Sequence, residues 1–327
     1  MGWLTTVVDL LWRNRPRLGG GMIPSWLNVS EEIAAALAVG QPVVALESTL
    51  IAHGLPWPAN LETARESEAA VRAGGATPAT VAVWHGTPTV GLTPDQIEAL
   101  ARAPLVVKAS RRDLGTAVGL KQLAATTVSA TMALAHAAGA RVFATGGIGG
   151  AHREDWDISA DLTELARTPV FVVCAGAKSI LDLPRTLEIL ETLGVPVLGY
   201  QTDTFPAFYV RQSTSDRAPT LPVSARVESP AEAAAVFAAH VQMGGRGAIL
   251  AQPCSADVAV PEEVFETALG EALKEATATG ISGPRVTPFL LARLADLTRG
   301  QTLAANRALI VNNARLAAEV AVALGVA

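Results

Sequence analysis

Lys178 has the surroundings that most favour covalent chemistry. It follows an apolar run at residues 170–174, and only the small residues 175–177 separate it from that run. A lysine amine in such an environment loses hydration, its pKa falls, and its lone pair can attack a carbonyl carbon. Most lysines are surface groups, so a solvated lysine at the end of a loop is the alternative interpretation.

Glu47 is a candidate for proton transfer. It follows the apolar residues 43–46 and lies beside Ser48 and Thr49. A carboxyl group in such a place can exchange protons near neutral pH if burial raises its pKa. A helix cap or a buried ion pair is the alternative role for Glu47. The nearby His53 is expected to be a structural imidazole and not a ligand.

Asp157 and Asp161 are candidates for binding a divalent cation. Carboxylate oxygens and ordered waters form the sites that Mg²⁺ and Mn²⁺ prefer. Ser159 or Asp161 can instead cap the short helix predicted to follow them. A cap does not explain Asp157, which is therefore the better candidate for a metal ligand.

Two further segments could bind a phosphate. The sequence TGGIGG at residues 145–150 can present backbone N–H groups, but it lacks the spacing of a Rossmann fingerprint or a Walker loop, and a tight turn is the alternative. Lys108, with Arg111 and Arg112, adds local positive charge. Paired surface charges are the alternative for these three residues.

The candidate residues follow predicted strands. Short β-branched runs alternate with Ala-rich stretches, which predicts an α/β fold whose ligands bind beyond the carboxyl ends of the strands. Residues 200–223 are predicted to form a long functional loop or a small excursion. The predicted strands are residues 43–46, 80–84, 105–107, 141–144, 170–174, 195–198 and 247–251, and the main predicted helices are 60–73, 94–103, 129–138, 184–193, 230–243, 262–279 and 303–324.

Composition narrows the possible functions. Half of the 327 residues are hydrophobic and 17% are charged, which excludes a disordered chain. The net charge of −5 argues against nucleic-acid binding, and the lack of an apolar run of about 18 residues argues against a membrane span. Two cysteines without metal spacing fit a reducing cytoplasm.

The first 21 residues are expected to lie outside the fold. Their apolar stretch precedes the arginines, the reverse of the order in a secretory signal. We therefore expect residues 1–21 to be a disordered or non-native leader, with Met22 as an alternative start, and residues 22–327 to form a single domain.

Five motifs occur together and in a fixed order. They are ALEST at residues 45–49, KASRRDL at 108–114, TGGIGGAHR at 145–153, DISADL at 157–162 and CAGAKSILD at 174–182. Together they resemble the pseudouridine-5'-phosphate glycosidase family, also called the indigoidine synthase A family, from about residue 33 to the C-terminus. The segment 252–257 departs from the Asn-Pro-rich form found in that family.

The resemblance implies a fold, an activity and an assembly. The fold is a three-layer α/β/α domain with a central mixed, mostly parallel sheet, and the assembly is a homotrimer. The activity is the reversible cleavage of the carbon–carbon bond that joins uracil to ribose 5-phosphate in pseudouridine 5'-phosphate. Opening the sugar and forming an imine with a lysine provides a path for the electrons when that carbon–carbon bond breaks.

The resemblance also implies roles for individual residues. Lys178 resembles the nucleophile and Glu47 the proton donor, while Asp157 resembles the ligand of one Mn²⁺ per subunit, for which other divalent metals can substitute. The substrate-binding positions are Lys108, Val128, Ser159, Ala160 and Asp161.

Two other functions are compatible with the same motifs. A different Schiff-base lyase or aldolase acting on a sugar phosphate would keep Lys178 and Lys108 in their roles but would not release uracil. A catalytically silent nucleotide-binding or accessory protein would tolerate replacement of Lys178.

Overall fold

The computed structural model describes residues 23–153, 157–211, 220–281 and 286–326, and the predicted leader lies outside them. The chain alternates strands and helices, as the sequence predicts. The strands are β1 Asn28–Val29, β2 Val43–Leu46, β3 Thr77–Trp84, β4 Thr87–Val90, β5 Val107–Ala109, β6 Ala124–Thr126, β7 Val142–Ala144, β8 Ala151–His152, β9 Phe171–Cys174, β10 Leu181–Asp182, β11 Val197–Tyr200, β12 Ala225–Val227 and β13 Ala248–Ala251. The α-helices are α1 Glu31–Ala38, α2 Ala59–Ala73, α3 Pro94–Arg102, α4 Leu114–Gly119, α5 Val128–Ala138, α6 Ala160–Leu165, α7 Leu183–Thr192, α8 Pro230–Gln242, α9 Glu262–Ala278, α10 Val286–Leu297 and α11 Gln301–Val326.

One large sheet organises the molecule. Its strand order is β1-β4-β3-β2-β7-β9-β13-β11-β12, with β6 paired to β3 and β5 paired to β6. Strand β3 runs antiparallel to β4 and β6, whereas the remaining neighbours in this sheet are parallel. The predicted mixed, mostly parallel sheet is therefore confirmed. A separate antiparallel ribbon joins β8 to β10.

The two faces of this sheet are buried under different helices. Along β9, Phe171 and Val173 join a core with residues of α2, α8 and α11. Val172 and Cys174 point the opposite way and join a core with residues of α5, α7 and α9. This alternation with a period of two residues is what a strand covered on both faces requires. The arrangement is the three-layer α/β/α fold that the resemblance implied.

Helix α11 is long and apolar, and it contributes to the core. The stretch Gln301–Gly325 has the length and composition to cross a bilayer, but 56% of its most apolar window is buried inside the protein. It packs against α2, α8 and the strands β2, β7 and β9. A core helix of a folded domain passes the same test of length and composition.

The predicted elements match the observed ones except where local signals are weak. The strand predicted at residues 105–107 lies instead at Val107–Ala109, so Lys108 lies inside β5 and not after it. Short β6 reads Ala-Ala-Thr and shows little β-branched character, and it was not predicted. Five other short strands and three helices were also not predicted, namely β1, β4, β8, β10, β12, α1, α4 and α10.

We expect Phe237→Ala to destabilise the fold by about 3–5 kcal/mol, because the mutation leaves a cavity in a fully packed core. Phe237 on α8 is completely buried and stacks on Phe171 of β9 with ring centroids 4.6 Å apart. Denaturant unfolding followed by circular dichroism measures the loss. Val236→Ala is the matched control, since the neighbouring Val236 is 39% exposed. Equal losses in the two variants would contradict the packing assignment.

Candidate active site

The parallel strands β2, β7 and β9 are neighbours in the sheet, so the segments that follow them emerge at one edge. Glu47 follows β2, the glycine segment 145–150 follows β7, and Lys178 lies in the loop after β9. Strand β5 brings Lys108 to the same place. A cleft with about 500 Å³ of empty space is lined by Glu47, Lys108 and Lys178. The structure thus brings together three residues that the sequence analysis singled out.

The loop that carries Lys178 is fixed to the glycine segment by backbone hydrogen bonds. Ile148 N donates to Gly176 O at 3.0 Å, and Lys178 N donates to Ile148 O at 3.2 Å. Gly176 has a φ of +82°, and a side chain there would overlap the carbonyl oxygen of Pro206. The backbone at Lys178 is therefore held firmly while its side chain lines the cleft.

Glu47 has an environment suited to proton transfer. The Thr145 hydroxyl donates a hydrogen bond to Glu47 Oε1. Burial raises the pKa of Glu47 above its ordinary 4.5, and the positive charge of Lys178 opposes that rise. A carboxyl group with a raised pKa remains protonated at pH values closer to 7, as a proton donor must.

Lys108 is affected in the opposite sense. Burial lowers the pKa of Lys108, and the positive charge of Lys178 lowers it further, while Glu47 opposes both effects. The two lysines are therefore close enough to repel each other within the cleft. Arg111 does not join them, because it pairs with the buried Glu164 at 2.7 Å. For Arg111 the paired-charge alternative is the one observed.

The predicted substrate-binding residues at the start of α5 and α6 surround the glycine segment. Asp161 Oδ2 accepts a hydrogen bond from Gly149 N at 2.8 Å, and Asp161 Oδ1 accepts one from Ser129 N at 2.9 Å. Ser159 caps α6, since its hydroxyl accepts from Asp161 N at 3.2 Å. Val128 and Ala160 are the first residues of α5 and α6. Asp161 thus joins both helix starts to the glycine segment.

Asp157 lies on the more exposed side of this group. Its side chain is 54% exposed, and its Oδ2 lies 3.7 Å from His152 Nε2. Among the described residues, no group of three or more His, Cys, Asp or Glu side chains could hold a metal ion together. A single accessible carboxylate fits a cation that retains most of its waters, as Mg²⁺ and Mn²⁺ commonly do. The donor present is thus compatible with the implied metal.

Several residues of the cleft were not found from the sequence. Phe208 lines it and has a φ of +60°, an uncommon conformation for a bulky residue. The C-terminal helices close another side with Thr287, Leu291, Asn306 and Ile310. The signal available for Asn306 was its polarity within a long apolar helix.

Asn313 lies farther along α11 and supports the site without lining it. Its Nδ2 donates to Thr145 O at 2.9 Å, and the side chain is almost completely buried. Asn313 and Asn306 are separated by seven residues, or about two helical turns, so both face the sheet edge. Helix α11 therefore lines the cleft and also holds Thr145, whose hydroxyl donates a hydrogen bond to Glu47.

His53 also reaches the cleft, from the short π-helix Leu50–Gly54 that follows Glu47 in the chain. Within the described parts of the chain, its Nε2 atom is shielded from solvent and has no hydrogen-bond partner. Burial lowers the pKa of His53, the nearby charge of Lys108 lowers it further, and a hydrogen bond with the backbone of Val106 acts in the opposite direction. That His53 supports its neighbours and is not a ligand stays a prediction.

Comparisons with known proteins agree with this architecture. The family model for indigoidine synthase A like protein matches residues 32–323. The chain is 55% identical to the pseudouridine-5'-phosphate glycosidase of Herpetosiphon aurantiacus, with 91% of this chain and 98% of that protein covered. It is 53% identical to the protein of the same name from Chloroflexus aurantiacus, with 90% and 98% covered.

Two solved structures share the fold over nearly their full lengths. The prealnumycin C-glycosynthase AlnA, in complex with ribulose 5-phosphate, has a TM-score of 0.84 at 43% identity, covering 93% of this chain and 98% of that one. An indigoidine synthase A-like protein from Thermotoga maritima has a TM-score of 0.82 at 33% identity, covering 92% and 98%. The chain therefore belongs to the indigoidine synthase A-like family, together with the pseudouridine-5'-phosphate glycosidases that it matches over most of its length.

Proposed function

We propose that this protein catalyses the reversible cleavage of the carbon–carbon glycosidic bond of pseudouridine 5'-phosphate, giving uracil and ribose 5-phosphate. The observation that carries the proposal is the convergence of Glu47, Lys108 and Lys178 on one cleft. Relatives named as glycosidases for this substrate support it, at 51–55% identity. A relative solved with ribulose 5-phosphate bound supports a pentose phosphate ligand.

The bond to be broken explains the need for a lysine. The leaving atom is a ring carbon of uracil, which is not protonated as readily as an oxygen or nitrogen leaving atom. The Lys178 amine attacks C1' of the ribose while Glu47 gives its proton to the ring oxygen and the C1'–O4' bond breaks. The sugar is then open and attached through C1' to the Lys178 nitrogen.

The second half of the reaction uses the same two residues. The Glu47 carboxylate takes a proton from the Lys178 nitrogen and delivers it to C5 of uracil. The electrons of the C1'–C5 bond go to C5, and the nitrogen lone pair forms the carbon–nitrogen double bond of the imine. Water then hydrolyses the protonated imine, which releases ribose 5-phosphate, restores the Lys178 amine and returns one proton to the Glu47 carboxylate.

The remaining polar residues are assigned to substrate binding. Lys108 pairs with the 5'-phosphate or with neighbouring sugar oxygens, because it is the second cation of the cleft. Val128, Ser159, Ala160 and Asp161 complete this binding site. The hydrogen bonds that the Asp161 carboxylate accepts from Gly149 N and Ser129 N support that assignment, since they hold these positions in one cluster.

Asp157 is the proposed ligand of one Mn²⁺ per subunit, with water filling most of the coordination shell. When bound, the cation supplies positive charge that offsets the substrate phosphate. Asp157 lies close enough to Lys108 for its carboxylate to raise the pKa of that lysine. The carboxylate is therefore near enough to the lysine assigned to the phosphate for a bound cation to act on the same group.

A homotrimer in the cytoplasm completes the proposal. Leu105 and Leu120 are 88% and 67% exposed, and such large apolar groups favour burial against another copy.

The cytoplasm is proposed from the cysteines, since Cys174 and Cys254 are free and buried, which suits a reducing compartment. The proposed trimer is tested by its mass. Light scattering of the purified protein measures its mass, and a monomer would contradict the assembly.

Lys178→Ala should reduce uracil release from pseudouridine 5'-phosphate by at least about 1,000-fold, because it removes the nucleophile. Borohydride should trap ribose 5-phosphate on the wild-type chain at Lys178, as located by peptide mass spectrometry. Lys274→Ala is the matched control, since Lys274 is exposed on α9. Full activity in Lys178→Ala, or trapping at another lysine, would refute the imine assignment. A folded, metal-loaded wild type that releases no uracil would refute the substrate.

Glu47→Gln should reduce turnover by about 100-fold or more, since glutamine transfers no proton. It should not reduce stability at neutral or alkaline pH. Folding raises the pKa of Glu47, so the carboxyl group stabilises the folded state fully at a pH below its ordinary pKa. This stabilisation is lost as the pH rises from the ordinary pKa through the raised pKa of the folded state. The melting temperature of Glu47→Gln relative to wild type should therefore rise with pH.

A difference in melting temperature that stays constant or falls with pH would show that the pKa of Glu47 is not raised. Glu188→Gln is the control for this series, because Glu188 is an exposed residue on α7.

Asp157→Asn should weaken Mn²⁺ binding by about tenfold or more, because a neutral amide replaces the carboxylate of the proposed ligand. Electron paramagnetic resonance of free Mn²⁺ measures the affinity without relying on turnover. Asp95→Asn, at an exposed position on α3, controls for the loss of one negative charge. Unchanged affinity in Asp157→Asn would remove Asp157 from the metal site.

A further inference from the structure

The unpaired nitrogen of His53 indicates a ligand contact that the proposed function has not used. His53 Nε2 is shielded from solvent and has no hydrogen-bond partner among the residues that the structure describes, yet His53 lines the cleft together with Lys178. Buried polar atoms almost always find a partner, and an unpaired one is costly. A partner that arrives with the substrate resolves this cost.

The protonation state of His53 limits what that partner can be. The ring interacts with the backbone of Val106, and we assign that bond to Nδ1–H because Nε2 has no partner among the described residues. Burial and the charge of Lys108 both lower the pKa of His53, which favours the neutral imidazole. Neutral imidazole with its proton on Nδ1 carries a lone pair on Nε2 and can only accept a hydrogen bond there.

Because His53 Nε2 can only accept a hydrogen bond, the anionic part of the substrate is not its partner. Phosphate and carbonyl oxygens have no hydrogen to give to Nε2, so the partner is an N–H or O–H group. The charged end of a sugar phosphate is attracted to the two lysines. The other residues lining the cleft include the apolar side chains Leu50, Leu291 and Ile310.

A wall of Leu50, Leu291 and Ile310 that also carries His53, Thr287 and Asn306 suits a flat heterocycle with apolar faces and polar edges. Leu50 lies on the same short helix as His53, while Leu291 and Ile310 come from α10 and α11. Uracil offers two ring N–H donors, and its faces are apolar enough to pack against such side chains. The sugar hydroxyls, in contrast, belong beside Lys178, which must reach C1'.

On the basis of the proposed function, we propose that His53 recognises the base, with Nε2 accepting a hydrogen bond from a ring N–H of uracil. The residue binds the leaving group and takes no part in the proton transfers assigned to Glu47. Its loss should therefore affect binding of uracil and leave binding of ribose 5-phosphate unchanged.

Two variants separate this role from a structural one. In His53→Gln, the longer amide can place an oxygen where Nε2 lies, whereas in His53→Asn the shorter amide can keep the bond to Val106 but offers no acceptor at that point. Steady-state kinetics in the direction of synthesis give separate KM values for uracil and ribose 5-phosphate. Methylated uracils, blocked at N1 or at N3, test which ring N–H is bound.

We expect the KM for uracil to rise by about 10- to 100-fold in His53→Asn and to stay within a few-fold of wild type in His53→Gln. The KM for ribose 5-phosphate should not change in either variant. Wild type should discriminate against one of the two methylated uracils, and His53→Asn should lose most of that discrimination.

Other results would overturn the assignment. An unchanged uracil KM in His53→Asn would show that Nε2 does not contact the base, and a raised KM for ribose 5-phosphate alone would place the donor on the sugar. Losses in His53→Gln that exceed those in His53→Asn, with a lower melting temperature, would show that only the Val106 bond matters. A wild type that neither releases nor binds uracil would overturn the proposed function together with this inference.

Discussion

The burial of one carboxyl group between two lysine side chains is the interaction on which this site depends. Burial alone raises the pKa of Glu47 and lowers that of Lys108. The positive charge of Lys108 limits the rise in the pKa of Glu47, and the negative charge of Glu47 limits the fall in the pKa of Lys108. Neither side chain is therefore an isolated buried charge. The pKa values of Glu47 and Lys108 are therefore moved toward each other within one cleft.

The scaffold holds these groups together through backbone contacts that tolerate little change. The parallel strands β2, β7 and β9 place Glu47, the glycine segment and Lys178 side by side. The glycine segment is held by two hydrogen bonds: Gly149 N donates to the Asp161 carboxylate, and the Asn313 amide donates to the Thr145 carbonyl. Gly149 lies where a side chain would overlap Ser159, so the segment must remain glycine-rich to lie this close. The glycines thus provide close packing around the reactive side chains.

The cleft has two chemically different parts, which correspond to the two parts of the proposed substrate. Glu47, Lys108 and Lys178 line the part assigned to the sugar phosphate. The π-helix, α10 and α11 line the rest of the cleft with apolar and uncharged polar side chains: Leu50, His53, Thr287, Leu291, Asn306 and Ile310. Recognition of the base therefore depends on helices that are distant in sequence from the nucleophile. Related proteins can retain Lys178 and Glu47 and still differ in the group joined to the sugar, because the residues lining the base come from other elements.

The α/β class, many of the strands and helices, and the family are predictable from the amino-acid sequence, because periodicity and ordered motifs are local properties of the chain. Glu47, Lys108 and Lys178 are predictable as well, since reactive side chains in or after apolar strands are recognisable in a sequence. The folded structure was needed to show that Lys108 lies within β5, that Asp161 bonds to two other segments, and that His53, Phe208 and Asn306 share the cleft. Those facts depend on how distant helices pack over the sheet edge, and long-range packing leaves no local pattern in the sequence.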